Sequence, residues 1–195
     1  MSRAPFTRET ADVRRHDLVE AACRVLAVQG VAGASVRAIC AEAGVSPGLL
    51  RHYFEGVDAL IAAAYEAVGQ RIDAALEAAV TEAGDAPRAR ITAYLTASLA
   101  PPVLDPQLLA TWIAFWSLVK TNPAIGAIHA ASYAAYRQRL EGLLTDCGAR
   151  ETRLAAVALT AVVDGLWLEL CLDATAFKPA EAASIAERVL AGWLP

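Results

Sequence analysis

The segment 35–54, SVRAICAEAGVSPGLLRHYF, constrains the fold more than any other part of the chain. Two short apolar-faced segments flank a tight turn at Gly44. Ser46 followed by Pro47 is typical of a helix start, because serine caps free amides and proline needs no hydrogen-bond partner at the first helical position. The pattern predicts a helix-turn-helix, with the second helix held rigidly enough to enter a DNA major groove. The apolar faces are Val36, Ile39 and Cys40 on the first helix, and Val45, Leu49 or Leu50, and Phe54 on the second.

The remainder of the chain also predicts helices. Hydrophobic residues make up 56% of the chain, and the abundant alanine and leucine favour helix. Helical periodicity and the breaks between segments predict an all-α fold of about nine helices, three short ones followed by six longer ones. We expect a flexible arm at 1–10, a helix-turn-helix DNA-binding domain at 11–56 and a larger helical ligand-binding and dimerisation domain at 57–195. The longer helices are expected at about 57–82, 87–99, 105–120, 123–147, 150–173 and 179–193.

Charge is distributed unevenly along the chain. The net charge is −4, but residues 1–55 carry +1 and the remainder −5. This asymmetry fits a DNA-facing end joined to an acidic body, and it also fits ordinary solvated helices. We expect a solvated arm to contain Arg3, Arg8, Arg14 and Arg15, and DNA contact by these arginines is the less favoured alternative.

Cysteine spacing and hydropathy indicate the cellular compartment of the protein. Cys23, Cys40, Cys147 and Cys171 lie far apart in apolar surroundings, without the spacing of a zinc site, so we expect buried free thiols, no metal and a cytoplasmic protein. The apolar run 154–172 is long enough to cross a bilayer. Asp164 and Glu169 fall within it, which favours a buried helix over a membrane span.

Enzymatic function finds little support in the sequence. The three histidines, His16, His52 and His129, are scattered, and no phosphate-binding loop, nucleophile elbow, HExxH or dinucleotide glycine pattern occurs. We predict a protein that is not an enzyme and that needs no cofactor. His129 is expected to be a structural histidine.

The segment VRAICAEAGVSPGLLRHYFEGVDAL, together with the chain length and helix count, resembles the TetR family of one-component bacterial regulators. The segments WIAFWSLVKTNP (112–123) and VVDGLWLEL (162–170) are similar to the branch of the choline-sensing repressor of betaine synthesis. The resemblance implies a homodimer that binds a palindromic operator and a small ligand in the rear domain that modulates DNA binding.

Several DNA-binding residues follow from this resemblance. Ser46 matches the serine that caps the recognition helix and can hold a phosphate. Gly48 lets the backbone approach DNA, and Tyr53 matches a phosphate-contact position. Arg37 is placed to meet either a phosphate or a base edge, whereas His52 is more often a surface side chain. The predicted set is Arg37, Ser46, Pro47, Gly48, Leu49, Arg51, His52 and Tyr53.

Two positions depart from the family pattern. Arg51 stands where the family usually has a tyrosine, and arginine can clamp a phosphate or read guanine. Val57 stands where a lysine is expected at the start of the fourth helix, so one contact to the DNA backbone is expected to be missing.

An aromatic cluster marks the rear domain. Trp112, Phe115 and Trp116 share a helical face, and Tyr133, Tyr136, Asp164 and Trp167 lie on later helices. Aromatic faces with a carboxylate suit a quaternary ammonium ion, so these seven residues are the predicted ligand site. Plain core packing is the competing interpretation, and Trp167 alternatively belongs to a dimer interface. The helices at 150–173 and 179–193 are predicted to form that interface, through Leu154, Ala158, Ala161, Gly165, Leu168, Ile185, Val189 and Leu190.

The sequence therefore predicts a ligand-responsive transcriptional repressor. Its partners are double-stranded operator DNA, a second copy of itself and a small effector, with a choline-like cation as the first candidate and no membrane. The alternatives are a regulator of efflux or catabolic genes that senses an uncharged hydrophobic ligand, and a helical interaction protein without DNA binding.

Overall fold

The computed structural model describes residues 11–195, and within them the chain forms nine α-helices and no strand. This confirms the all-α prediction. The predicted arm at 1–10, with Arg3 and Arg8, lies outside the described residues. The helices are α1 (Ala11–Gly33), α2 (Val36–Ala43), α3 (Pro47–Tyr53), α4 (Val57–Glu82), α5 (Pro87–Ala97), α6 (Pro106–Leu118), α7 (Pro123–Asp146), α8 (Thr152–Leu172) and α9 (Pro179–Ala191).

Local capping chemistry sets many of the helix starts. Five helices begin at a proline, where the missing N–H costs no hydrogen bond. Asp105 caps α6 by accepting from the Leu108 amide at 2.9 Å, and Asn122 caps α7 by accepting from the amides of Ala124 and Ile125. Near its C-terminal end, α1 is kinked at Gly30, whose φ of 63° breaks the helical conformation.

The first three helices pack as a small unit against α4 and α6. α1 contacts α2, α4 and α6, and α2 contacts α3. Two ion pairs join these helices: Arg24 Nε lies 2.6 Å from Glu42 Oε1 between α1 and α2, and Arg71 Nη1 lies 3.0 Å from Glu20 Oε1 between α4 and α1. α4 therefore runs from the end of the helix-turn-helix into the rear of the protein.

The rear of the protein is built from α4 to α9. α7 packs on α4, α5 and α8, and α9 packs on α5 and α8. α8 is the one helix within the described residues that is long and apolar enough to span a membrane, a test that core helices also pass. It packs against α6, α7 and α9, and Leu159, Val163 and Leu166 on it are buried.

Candidate functional site

The first candidate surface is the exposed side of α3 with the neighbouring Arg37 of α2, here called the recognition face. The Ser35 hydroxyl caps α2 by accepting from the Ala38 amide at 3.2 Å, and the Ser46 hydroxyl caps α3 by accepting from the Leu49 amide at 3.3 Å. Between the helices Gly44 adopts φ 65°, ψ 31°, the left-handed conformation that favours glycine. The helix-turn-helix geometry thus follows from two serine caps and one glycine.

Burial separates the recognition face from the side that packs inward. Leu50 is 0% exposed and Phe54 is buried, so Leu50 rather than Leu49 belongs to the core. The Arg15 guanidinium lies 5.0 Å above the Phe54 ring, which ties the end of α3 to α1. Of the eight residues predicted to face DNA, Leu49 and Tyr53 are half-buried, and the exposed ones are Arg37, Ser46, Pro47, Gly48, Arg51 and His52.

The second candidate site is a cavity enclosed by α4, α6, α7, α8 and the end of α5, here called the aromatic cavity. Its volume is about 60 Å³, enough for about four water molecules. Of the seven residues predicted to bind a ligand, five line this cavity: Trp112, Tyr133, Tyr136, Asp164 and Trp167.

Phe115 and Trp116 lie outside the cavity lining. Phe115 is fully buried behind Trp112 and stacks on Tyr65 with ring centroids 4.5 Å apart. Trp116 is half-buried, and its Nε1 is the one buried side-chain nitrogen or oxygen in the described part of the chain that lacks a hydrogen-bond partner. Phe115 therefore supports the Trp112 wall of the cavity from behind.

Sequence reasoning missed seven lining residues: Gly69, Ile72, Asp73, Ser98, Ser132, Thr160 and Val163. Thr160 and Val163 could have been found by extending the spacing of Asp164 and Trp167, since residues three, four and seven apart share a helix face. Ser98 follows α5 and carries no such signal. It joins the cavity because the Trp167 indole N–H donates to its carbonyl at 2.7 Å.

Hydrogen bonds fix the polar part of the cavity. The Tyr133 hydroxyl donates to Asp164 Oδ1 at 3.0 Å. Burial raises the pKa of Asp164 to about 6, while the Tyr133 hydrogen bond and the positive charge of Arg137 oppose the rise. Burial and the Asp164 charge raise the pKa of Tyr133, so the phenol keeps its proton. Asp164 is therefore mostly an anion at neutral pH in a largely apolar enclosure.

Aromatic rings surround this carboxylate. Trp112 packs edge-on against Trp167 with centroids 6.1 Å apart, and Tyr136 packs on Tyr94 at 5.4 Å. None of the described lining residues is basic. An aromatic box with a carboxylate and no basic residue in its lining attracts a small organic cation through charge and through the ring faces.

A buried polar chain continues from the cavity toward α4. The His129 ring lies 4.2 Å from the Tyr133 ring, and His129 Nδ1 is 3.0 Å from the Tyr65 hydroxyl. Burial lowers the pKa of His129, with Arg137 and Lys120 adding to the effect. His129 thus bonds Tyr65 and packs on Tyr133, and it is not among the residues that line the cavity.

Family models match both the N-terminal and the C-terminal part of the chain. Residues 18–64 match the family model described as "Bacterial regulatory proteins, tetR family", and residues 87–195 match that described as "BetI-type transcriptional repressor, C-terminal". A curated relative from Pseudomonas aeruginosa, named HTH-type transcriptional regulator BetI, is 31% identical over 180 residues that cover 89% of each chain. A relative of the same name from Burkholderia thailandensis is 29% identical over 90% of each chain.

Solved structures share the fold along most of the chain. A crystal structure described as a transcriptional regulator of Pseudomonas aeruginosa PAO1 has a TM-score of 0.87 and 42% identity, covering 97% of this chain and 94% of that one. A transcriptional regulator from Saccharomonospora viridis, crystallised in complex with choline, has a TM-score of 0.80 and covers 94% of this chain and 98% of that one. Its identity of 18% supports likeness of fold alone.

Proposed function

Because the chain belongs to the TetR family of bacterial transcriptional regulators, with a BetI-type repressor domain at its C-terminus, we propose that it represses transcription from a palindromic operator and releases that operator when a small organic cation fills the aromatic cavity. The observation that carries the cation is the half-buried Asp164 carboxylate, which lines one cavity together with Trp112, Tyr133, Tyr136 and Trp167. We assign DNA binding to residues 11–56, and ligand binding and dimerisation to residues 57–195.

The recognition face supplies the DNA contacts in this proposal. Arg51 and Arg37 are exposed cations, suited to a phosphate or to guanine. Ser46 presents the start of α3, where free amides attract a phosphate. A Cβ built on Gly48 would meet only Ser46 Oγ at 3.8 Å, which is ordinary contact, so packing within the chain does not require glycine there. Close approach of DNA gives a reason for its presence.

Dimerisation is supported by an apolar stripe left exposed on α8. Leu154, Val157, Leu168 and Leu172 are all exposed, and small residues (Ala161, Gly165) continue the stripe between them. Ile185 on α9 is also exposed. A second copy that packs α8 and α9 against the same helices forms a four-helix interface. Leu190, expected at this interface, is buried within its own chain, and Ala158 and Val189 are half-buried.

In such a dimer the two recognition faces enter successive major grooves about 35 Å apart. Ligand binding favours an arrangement whose spacing fits the operator poorly. Reciprocity requires the operator to weaken ligand binding by the same factor. A dimer that loses its spacing therefore loses affinity for the whole palindrome while each half-site contact remains intact.

The test pairs choline with its uncharged isostere, 3,3-dimethylbutan-1-ol, in calorimetry and in gel shifts on DNA from upstream of the gene. We expect choline to bind and to release the DNA, and the isostere to bind at least about tenfold more weakly, because it lacks the charge that faces Asp164. Equal binding of both compounds would point to an uncharged hydrophobic effector. The absence of a salt-sensitive, competitor-resistant DNA complex would overturn the proposed operator binding.

A further inference from the structure

One buried hydrogen bond joins the wall of the aromatic cavity to the first helix. Thr111 on α6 is 1% exposed, and its Oγ1 lies 3.2 Å from the carbonyl oxygen of Cys23 on α1. The same Oγ1 lies 2.8 Å from the carbonyl oxygen of Gln107, one turn earlier on α6. A threonine hydroxyl has one proton, so the bond to α1 competes with a bond inside α6.

The residue that follows Thr111 lines the cavity. Successive residues of an α-helix point about 100° apart, so α6 presents Thr111 to α1 and Trp112 to the aromatic cavity. A force on the Trp112 ring therefore acts on the helix that carries the Thr111 hydroxyl. This hydrogen bond joins a side chain of α6 directly to the backbone of α1.

Space exists for α6 to move. The aromatic cavity has room for about four water molecules, whereas choline has seven non-hydrogen atoms, so we expect it to press on the cavity wall. Along the boundary of α1, α4 and α6 lies a larger cavity of about 340 Å³, whose lining includes Glu20, Cys23, Arg71 and Thr111. The wall that carries Trp112 can therefore yield, whereas the ion pair between Glu20 and Arg71 holds α1 to α4.

We propose that Thr111 is a positioning residue that sets the affinity of the effector: its bond to the Cys23 carbonyl holds α6 in the contracted arrangement that favours DNA, and a cation that expands the cavity must break this bond. The hydroxyl keeps its proton and then donates to the Gln107 carbonyl alone. The inference rests on the proposed function, since it concerns the same cavity and the same cation.

Loss of the hydrogen bond between Thr111 and Cys23 is expected to tighten effector binding rather than weaken it. Removing the hydroxyl loses the Gln107 bond in both arrangements but the shared Cys23 bond only in the contracted one. The expanded arrangement therefore becomes more populated, and the effector binds more tightly. Thr111→Val replaces the hydroxyl by a methyl group of similar size. We expect it to bind choline about two- to threefold more tightly than wild type, the lower end of the change that one hydrogen bond supports, because the proton is shared. It should also release DNA at a correspondingly lower choline concentration.

Thr111→Ser is the matched control because it keeps the hydroxyl and loses the methyl group. It should bind choline as wild type does. A merely structural Thr111 would instead give Thr111→Val a lower melting temperature with unchanged choline affinity. Unchanged or weaker choline binding by Thr111→Val therefore overturns the inference, whereas failure of choline to bind the wild-type protein overturns the proposed effector itself.

A second measurement uses the wild-type protein, so it does not depend on the folding of a variant. Hydrogen exchange of the α1 amides is followed with and without choline. We expect choline to increase exchange around Cys23, because α1 loses its contact with α6. Exchange that stays the same or decreases there, at choline concentrations that saturate the protein, contradicts the proposal.

Discussion

The Tyr133 hydroxyl donates to Asp164 Oδ1 at 3.0 Å, and this bond joins α7 to α8 across the aromatic cavity. Tyr133 can donate only one hydrogen, so the second carboxylate oxygen of Asp164 remains for a ligand. The carboxylate is costly to bury without a cation beside it, and this cost is the source of its affinity for one. Stability and function therefore place opposite demands on Asp164.

Asp164→Asn tests these opposite demands. The amide still accepts from Tyr133 but carries no charge, so choline affinity should fall by at least about tenfold. The free energy of unfolding at pH 7.5 without ligand should rise by the order of 1–2 kcal/mol, because a buried charge is removed. Calorimetry and urea denaturation measure the two effects. Glu169→Gln, an exposed carboxylate on the same helix, is the control, and a stability loss in Asp164→Asn would contradict the argument.

The pKa of Asp164 also predicts how ligand binding depends on pH. Burial raises this pKa from 3.8 to about 6, so the carboxyl group becomes neutral as the pH falls below 6. Choline affinity at pH 5 should be about tenfold lower than at pH 7.5. Calorimetry at both pH values measures this change, and Asp164→Asn should show little of it.

The raised pKa of Asp164 also makes the stability of the folded protein depend on pH, in a defined direction. A pKa raised by folding stabilises the folded protein at low pH, and this contribution is lost as the pH rises through the folded value. The free energy of unfolding of wild type should therefore fall between about pH 4 and pH 6, relative to that of Asp164→Asn. Burial raises the pKa values of the neighbouring Tyr65, Tyr133 and Tyr136, so these phenols keep their protons in this range. Burial lowers the pKa of His129, but His129 is present in both proteins, so its contribution cancels in the comparison.

Two glycines of the helix-turn-helix should respond in opposite ways to substitution by alanine. Gly44 has φ 65°, so Gly44→Ala should destabilise the protein by about 1 kcal/mol. Gly48 lies within α3 with space for a Cβ, so Gly48→Ala should leave stability unchanged or raise it by up to about 1 kcal/mol. Operator affinity of Gly48→Ala should nevertheless fall several-fold. Full operator affinity in that variant would remove the argument for close DNA approach at Gly48.

The exposed stripe of α8 predicts the oligomeric state. Leu168 is 38% exposed on this stripe, and Leu168→Glu would place a charge in the proposed four-helix interface, which should weaken dimerisation by at least about tenfold. Sedimentation measures the dimer directly. Val28→Glu is the matched control, because Val28 is 82% exposed on α1, away from α8. A wild-type protein that sediments as a monomer at micromolar concentration would contradict the interface.

The helices were predictable because their starts depend on local chemistry. A serine, aspartate or asparagine cap, or a proline at the first position, marks α2, α3, α6 and α7, and such signals act within a few residues of sequence. The two serine caps and Gly44 likewise gave the helix-turn-helix. No long-range packing is needed for these features, so the sequence alone carries them.

The cavity was only partly predictable because it depends on which faces of buried helices meet. Trp112 and Phe115 share a helical face by spacing, yet Trp112 lines the cavity while Phe115 stacks on Tyr65 behind it. A helix that is apolar on several sides gives periodicity no means of choosing between them. Ser98 enters through a hydrogen bond from Trp167, 69 residues away, and no local pattern signals such a contact.

A substitution at the start of α4 is predicted to strengthen operator binding. Val57 is the first residue of this helix, directly after the recognition helix, and it stands where the resemblance leads us to expect a lysine. Val57→Lys should restore a contact to the DNA backbone. Operator affinity should rise several-fold at moderate salt, and the slope of log affinity against log salt should steepen by about 1.8, because each subunit of the dimer adds one phosphate contact that contributes about 0.9.

Val57→Gln is the control for this variant, because it lengthens the side chain without adding charge. Both variants give up part of the packing of the half-buried Val57, so a small loss of stability should be common to them. The difference between them then reports the charge alone. Gel shifts at several salt concentrations measure it, and equal salt slopes for the lysine and glutamine variants would show that this position does not face a phosphate.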